Sequence, residues 1–229
     1  MLRDIHTHIL PGVDDGSNSY DISSKMLDLE ILNDVNEIVL TPHYHHNSIS
    51  CSDKNLLKEK YNEFINKYKD LPIKFIFGAE LYFSNELMHE FNKHEVITLG
   101  DTNYVLIEFP LYQEYYDISS ILAEIIYLGY KPILAHPERY EYMDVKKLKK
   151  IKETGALIQI NTSSILGDFG KSIQKNVFKF IKANLVDFIA SDCHSLGIRK
   201  PNLKEALEFV KKKFNKEIEN KINLWIMMK

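Results

Sequence analysis

Apolar residues in this chain fall into short runs, separated by stretches in which they recur every three or four positions. The runs cover Leu2–His8, Glu37–His43, Ile73–Glu80, Tyr104–Phe109, Pro132–His136, Ala156–Asn161 and Val186–Asp192. Their length and their β-branched and aromatic content predict strands. The stretches between them predict helices. Ile118, Ile121, Leu122, Ile125 and Ile126 line one helical face, with Gly129 as terminator. Ile22, Met26, Leu29 and Leu32 repeat that period, and Lys146–Thr154 (closed by Gly155), Ile173–Asn184 and Asn202 to about Phe214 are further helices.

Strand–helix alternation points to an α/β fold in which parallel strands are joined by helical crossovers. Seven such units fit an open doubly wound sheet or a closed barrel. No glycine-rich dinucleotide loop follows the first strand, which favours the barrel. There is no Gly/Ser linker, low-complexity stretch or repeat, so residues 1–229 are expected to form one domain.

Polar residues at the strand ends sharpen this picture. Alternate side chains of an extended strand share a face, so His6 and His8 point the same way. The carboxylates of Asp14 and Asp15 follow in the next loop. The second strand ends at Thr41-Pro42-His43, and the third runs into Gly78-Ala79-Glu80. The fourth ends in Glu108, the fifth in His136 and the seventh in Asp192-Cys193-His194, while the sixth offers only the neutral Gln159 and Asn161. Parallel α/β folds gather the carboxyl ends of their strands on one face, where sites are built. A single acid or histidine there is more often a satisfied structural residue. Five histidines and four carboxylates together would carry a severe desolvation and repulsion cost, which metal ions remove. Arg139 and Arg199 lie in loops on the same face, and arginine is scarce here against lysine. A guanidinium fork fits phosphate oxygens in a way an ammonium does not.

Composition narrows the class. A formal charge of −3 and a pI near 6.3 argue against strong attraction to nucleic acid or an anionic membrane. No secretion signal and no apolar run of the ~18 residues a membrane span needs is visible, so direct membrane insertion is not expected. Cys51 and Cys193 make no disulfide framework, and a cytoplasmic location is expected. Cys193 and Arg199 do share the spacing of a thiol-based phosphatase loop. Three features speak against that chemistry. Gly197 falls one position late for the tight turn, and Lys200-Pro201 replace the Ser or Thr expected beside the arginine. Asp192 would also raise the thiol pKa rather than lower it.

Asp4-Ile5-His6-Thr7-His8, Pro11-Gly12-Val13-Asp14-Asp15-Gly16, Thr41-Pro42-His43, Gly78-Ala79-Glu80, Ile107-Glu108, Ala135-His136-Pro137-Glu138-Arg139-Tyr140 and Ala190-Ser191-Asp192-Cys193-His194 occur together and in order. With this set the chain resembles the PHP (polymerase and histidinol phosphatase) superfamily. Within it, the chain is most similar to the bacterial manganese-dependent protein-tyrosine phosphatases of capsule and exopolysaccharide operons. The match runs from Met1 to about Pro201. The resemblance implies a distorted seven-stranded (β/α) barrel with its active site at the C-terminal ends of the strands, holding three divalent ions, most naturally Mn2+, with iron or zinc also suited. Carried over by motif, His6, His8, Glu80 and Asp192 hold one ion. Glu80, Glu108 and His136 hold a second, and Asp14, His43 and His194 the third. Arg139 and Arg199 bind the phosphoryl group while hydroxide held between the ions attacks phosphorus. The implied partner is a phosphotyrosine protein, the tail of a membrane-associated bacterial tyrosine kinase.

Other readings of the scaffold stay open at this point. A small phosphomonoester such as histidinol phosphate or a nucleotide would suit the same metal centre, because surrounding loops set specificity. A catalytically silent binding module would be marked by gaps in the ligand set, and none is visible. A metal-dependent amidohydrolase would leave the arginines without a role. Tyr44-His45-His46 follows the His43 ligand where relatives vary, so contact of these rings with substrate stays open, and the lysine-rich stretch after Lys211 that ends in Asn223–Lys229 matches no family motif. The tail reads as a solvated helix and an apolar segment docked on the barrel.

Overall fold

The computed structural model describes residues 2–44, 53–112, 114 and 116–214. His45, His46 and the tail beyond 214 lie outside the described residues. Strand β1 (Leu2–Thr7) runs parallel to β2 (Val35–Leu40), which pairs with β4 (Lys74–Phe77). A second parallel sheet takes the order β3 (His43–Tyr44), β5 (Glu80–Tyr82), β6 (Tyr104–Glu108), β7 (Lys131–Leu134), β8 (Leu157–Asn161) and β9 (Phe188–Ala190).

The described residues thus hold nine strand segments where seven strands are expected, because two of the predicted strands are broken. The run through Thr41-Pro42 divides into β2 and β3, and the run through Gly78-Ala79 divides into β4 and β5. Each half sits in a different sheet. Pro42 has no N–H to continue a ladder. Gly78 sits where a Cβ would come 2.9 Å from both Val39 Cγ1 and Leu99 Cδ2. At the opposite margin, Thr7 bridges Cys193 in parallel, the Asp192 N–H donates to the His6 carbonyl, and the His8 N–H donates to the Cys193 carbonyl. The two sheets are therefore tied to one another, and the wall they form is a parallel-stranded α/β half-barrel.

Helices cover the outside. Ser19, Asp53, Ser84, Asp117 and Asp144 each accept a first-turn N–H and start α1 (Tyr20–Leu32), α2 (Lys54–Lys67), α3 (Asn85–Lys93), α4 (Ile118–Tyr127) and α5 (Val145–Glu153). Three more follow: α6 (Thr162–Leu166), α7 (Lys171–Lys182) and α8 (Leu203–Phe214). Gly129 and Gly155, the expected terminators of α4 and α5, both take positive φ. Helices α2 and α3 are not evident from apolar spacing. Only Leu57, Tyr61 and Phe64 of α2 and Leu87 and Phe91 of α3 are buried, within otherwise polar sequence.

Strand alternation divides the core in two. Ile38, Leu40, Val105, Ile107, Leu134, Ile158, Ile160 and Ile189 join the large outer core under the helices. Ile5, Val39, Leu106, Ile133, Ala135, Phe188 and Ala190 form a smaller inner cluster, with Leu157 packed on it. Along the inward face each strand passes from apolar to polar toward its carboxyl end. Leu106 is followed by Glu108, Ala190 by Asp192, and Leu157 by Gln159 and Asn161. The polar residues therefore collect on top of a dry floor.

Candidate metal centre

Side chains from six strand ends meet on that floor, and nearly all are fully buried. His6, His8 and Glu80 are 0% exposed, Asp192 and His136 1%, and His43, Glu108 and His194 5%. The expected shared face of His6 and His8 is realised, with their Nε2 atoms 3.1 Å apart. Each faces the same two carboxylates. Glu80 Oε2 lies 3.1 Å from His6 Nε2 and 3.3 Å from His8 Nε2, and Asp192 Oδ1 lies at 3.4 and 3.5 Å. The register of β3 on β5 sets His43 beside Glu80, whose Oε2 is 3.0 Å from His43 Nδ1. Glu108 reaches the group from β6, and His136 Nε2 lies 2.8 Å from Glu80 Oε1 and 3.8 Å from Glu108 Oε1.

Two of these residues hold backbone conformations that only glycine adopts easily: φ is +32° at His136 and +51° at Asp192. Each such residue costs on the order of 1–3 kcal/mol, which the surrounding packing must offset. Both follow directly on the inner strands β7 and β9, where the turn brings the side chain back over the floor.

Donor atoms fall into three compact groups: His6, His8, Glu80 and Asp192; His43, Glu80 and Glu108; and His8, Asp15, His43 and His194. Eight of the nine residues expected as ligands thus lie together, His136 at the margin of the second group through Glu80. Asp14 is the exception. Its Oδ2 takes hydrogen bonds from His8 Nδ1 at 2.8 Å and the His43 N–H at 3.0 Å, and its Oδ1 takes the Gly16 N–H. It stands behind His8 and orients it, while Asp15, one residue on, puts Oδ1 3.2 Å from His194 Nε2 and 3.4 Å from His43 Nε2. Gly16 makes this possible. A Cβ there would lie 2.3 Å from the His8 carbonyl oxygen, so only glycine lets the loop press against the strand end. The loop has no periodicity, so spacing alone does not separate Asp14 from Asp15.

Both arginines are at the site, and both reach Asp192. Arg139 Nη1 donates to Asp192 Oδ2 at 3.2 Å, and Arg199 Nη2 donates to Oδ1 at 2.7 Å. Arg139 also stacks over the Phe169 ring at 5.4 Å. Gln159 and Asn161, left without a role by the sequence, are fully buried among the donors. Their spacing of two on β8, the same as that of His6 and His8, is the signal that marks them.

The electrostatics suit cations. Burial works against ionising Glu80, yet the facing His6 and His43 imidazoles and the His136 hydrogen bond hold it well below the usual carboxylate range. Asp192 is likewise held low, against burial, by Arg199, His6 and His194. Glu108 has too little positive charge nearby, so burial and the Glu80 carboxylate push it up to about 8. His6 is raised to about 9 by Glu80 and Asp192 despite its burial, whereas burial lowers His136 and His194 to about 4. Glu108 Oε2 is buried without a hydrogen bond among the described residues. Clustered imidazole nitrogens and carboxylate oxygens, with Glu80 Oε2 also lacking a hydrogen bond among the described residues, are the donor set that divalent ions satisfy. By contrast Cys193 is fully buried, and burial, Glu30 and Asp4 push its thiol well above the ordinary range. It is neither exposed nor ionised, as thiol attack requires.

The sequence profile described as "Capsular polysaccharide synthesis, CpsB/CapC" matches residues 2–226. CapC of Staphylococcus aureus is 36% identical over 96% of this chain and 88% of its own length. The tyrosine-protein phosphatase YwqE of Bacillus subtilis strain 168 is 31% identical over 95% and 87%. A solved structure from work on YwqE of Bacillus subtilis and CpsB of Streptococcus pneumoniae, described there as metal-dependent tyrosine phosphatases, superposes with a TM-score of 0.87. It shows 30% identity and covers 96% of this chain and 90% of that one. Histidinol phosphate phosphatase of Lactococcus lactis, solved with zinc, L-histidinol and phosphate, shares the fold at a TM-score of 0.59 and 14% identity, covering 93% of each chain. The half-barrel, the donor cluster at its strand ends and the profile match over nearly the whole chain agree, and the chain belongs to the CpsB/CapC family of capsular polysaccharide synthesis proteins.

Proposed function

We infer that this chain is a metal-dependent protein-tyrosine phosphatase, acting as a single domain built on a distorted seven-stranded (β/α) barrel. The single observation that carries this is the buried cluster of imidazoles and carboxylates flanked by two arginines, in a family whose similar members are named for that activity. His6, His8, Glu80 and Asp192 would hold one divalent ion, and Glu80, Glu108 and His136, with His43 adjacent, a second. Asp15, His43 and His194 would hold a third. Manganese suits this mixed oxygen and nitrogen set, as do iron and zinc. Bound ions supply hydroxide at neutral pH and neutralise charge on the phosphoryl oxygens.

The chain's own residues do the rest. Asp14 and Gly16 hold the Asp15 loop against His8. Arg139 and Arg199 are half-free on Asp192 and present further N–H groups to an incoming phosphoryl group, a role their planar forks fit. Phe169 backs the Arg139 guanidinium, and on this reading its ring would stand near a phenyl leaving group. The substrate on this reading is phosphotyrosine in the tail of a membrane-associated tyrosine kinase governing polysaccharide export. Among the described residues no helix is long and apolar enough to cross a membrane.

The test is removal of metal by a chelator. Hydrolysis of a phosphotyrosine peptide should stop and should return with added Mn2+. Full activity of the stripped protein would overturn the metal reading, and faster turnover of histidinol phosphate than of the peptide would overturn the substrate.

A further inference from the structure

The inward face of β8 carries Leu157, Gln159 and Asn161, opposite the Ile158 and Ile160 side chains that pack in the outer core. Gln159 and Asn161 are both 0% exposed. Burying two primary amides is unfavourable unless every polar atom is served. Here they form a chain between two members of the same donor group. Asn161 Nδ2 donates to Asp192 Oδ2 at 2.6 Å, Gln159 Nε2 donates to Asn161 Oδ1 at 2.8 Å, and Gln159 Oε1 lies 3.0 Å from His6 Nδ1.

The direction of this chain follows from chemistry. Both Asp192 oxygens already accept, Oδ2 from Arg139 and Oδ1 from Arg199, so Asn161 must turn its NH2 toward it. The Asn161 carbonyl then faces Gln159, which must donate in turn, and the Gln159 carbonyl is left facing His6. His6 therefore donates from Nδ1. Its other nitrogen, Nε2, is the atom aimed at His8, Glu80 and Asp192 Oδ1. A ring nitrogen that binds a cation must present a lone pair, and the hydrogen bond at the opposite nitrogen decides which one does so.

We propose that Gln159 and Asn161 are positioning residues: a one-way amide relay through which the Asp192 carboxylate fixes the His6 tautomer and aims both side chains at one cation. The relay makes chemical sense of the neutral pair at the one strand end that lacks a charged donor. Each amide supplies one donor and one acceptor, which neither a carboxylate nor an ammonium can do. Gln159 Oε1 also takes the backbone N–H of His136 at 3.4 Å, and the Asn161 N–H donates to Glu138 Oε1 at 2.9 Å. The same two residues thus brace the turn in which His136 holds its positive φ.

This proposal rests on reading the cluster as a metal centre, and calorimetric titration of Mn2+ separates the two. Gln159→Met and Asn161→Leu keep side-chain length and remove the relay. Each should weaken Mn2+ binding by about 10- to 100-fold, the usual effect of losing a hydrogen bond behind a metal ligand. Because the relay is one unit, the double variant should bind within about threefold of the weaker single variant. The melting temperature of the metal-free protein checks that each variant folds, since each substitution leaves a buried polar partner unserved, at a cost in stability. Asn161→Ser serves where Asn161→Leu does not fold. Mn2+ affinity within about threefold of wild type in either single variant, or losses that multiply in the double variant, would overturn the relay while leaving the metal centre standing. A wild-type protein that takes up no Mn2+ would overturn both.

Discussion

Strand β1 and the segment from Phe188 to His194 border two buried acidic clusters that behave in opposite ways. One is the donor cluster, where Glu80 and Asp192 stay ionised among imidazoles and arginines. The other is formed by Asp4 and Glu30, both 0% exposed, with the Cys193 thiol beside them. Asp4 accepts the Ser191 N–H at 3.1 Å, and Cys193 Sγ lies 3.8 Å from Glu30 Oε1. There burial raises Asp4 to about 6, outweighing its hydrogen bonds from Ser191 and His6. Burial and the neighbouring Asp4 charge raise Glu30 well above the carboxylate range. Two carboxyls without a cation share a proton instead of holding a charge. Depth of burial is the same in both places, so the cationic partners alone separate a ligand set from a proton-sharing pair.

The sharpest way to break this contrast is to remove a ligand from the first cluster. His6→Ala should lose bound Mn2+ and lower phosphotyrosine-peptide turnover by roughly a thousandfold, the scale of several kcal/mol of lost charge stabilisation. Metal analysis alongside kinetics checks it, and retained metal would remove His6 from the centre. Arg139→Ala should act on the cationic side only. Turnover falls by about a hundredfold, as for the loss of one donor to a transition-state oxygen, while metal content stays unchanged. Wild-type kinetics for this variant would leave the arginine no part in the reaction.

Smaller effects are expected from the second cluster. The folded-state pKa of Asp4, about 6, lies above its ordinary 3.8, so the folded form keeps its proton longer than the unfolded chain. That contribution is present in full below about pH 4 and is lost as pH rises through 6. Glu30 shifts in the same direction. Glu30→Gln removes one carboxyl, and the decline of melting temperature between about pH 5 and 8 should flatten, with a gain of about 2–4 °C at pH 8 for each kcal/mol relieved. An unchanged slope in thermal scans would show that the pair carries no such cost. Least of all, Cys193→Ser should leave turnover within about twofold of wild type, since the thiol is buried and un-ionised. A dead enzyme with its metal retained would revive thiol attack.

Much of the site was legible because strand ends obey a period. His6, His8, Glu80, Glu108 and Asp192 could be placed by alternation and by the convergence of parallel strands, and they do meet. What alternation cannot reach is the loop: Asp14 and Asp15 are equal to any pattern argument, and only the Gly16 contact with His8 decides between them. The two strand breaks were hidden for a related reason. Val39 and Leu99 crowd Gly78 from parts of the chain far from it in sequence. Helices α2 and α3 escaped because two or three buried residues each leave too faint an apolar stripe. The grip of both arginines on Asp192 is a tertiary fact with no local signature, whereas Gln159 and Asn161 carried a readable spacing that their neutrality obscured.

The close approach at Gly16 has a use outside this molecule. Its backbone angle is not one reserved for glycine; what forbids a larger residue is the lack of room beside the His8 carbonyl. Even alanine would push the preceding aspartates away from the histidines. In a survey of related genomes, a chain that keeps every histidine yet carries any side chain at this position should be sorted with the inactive copies.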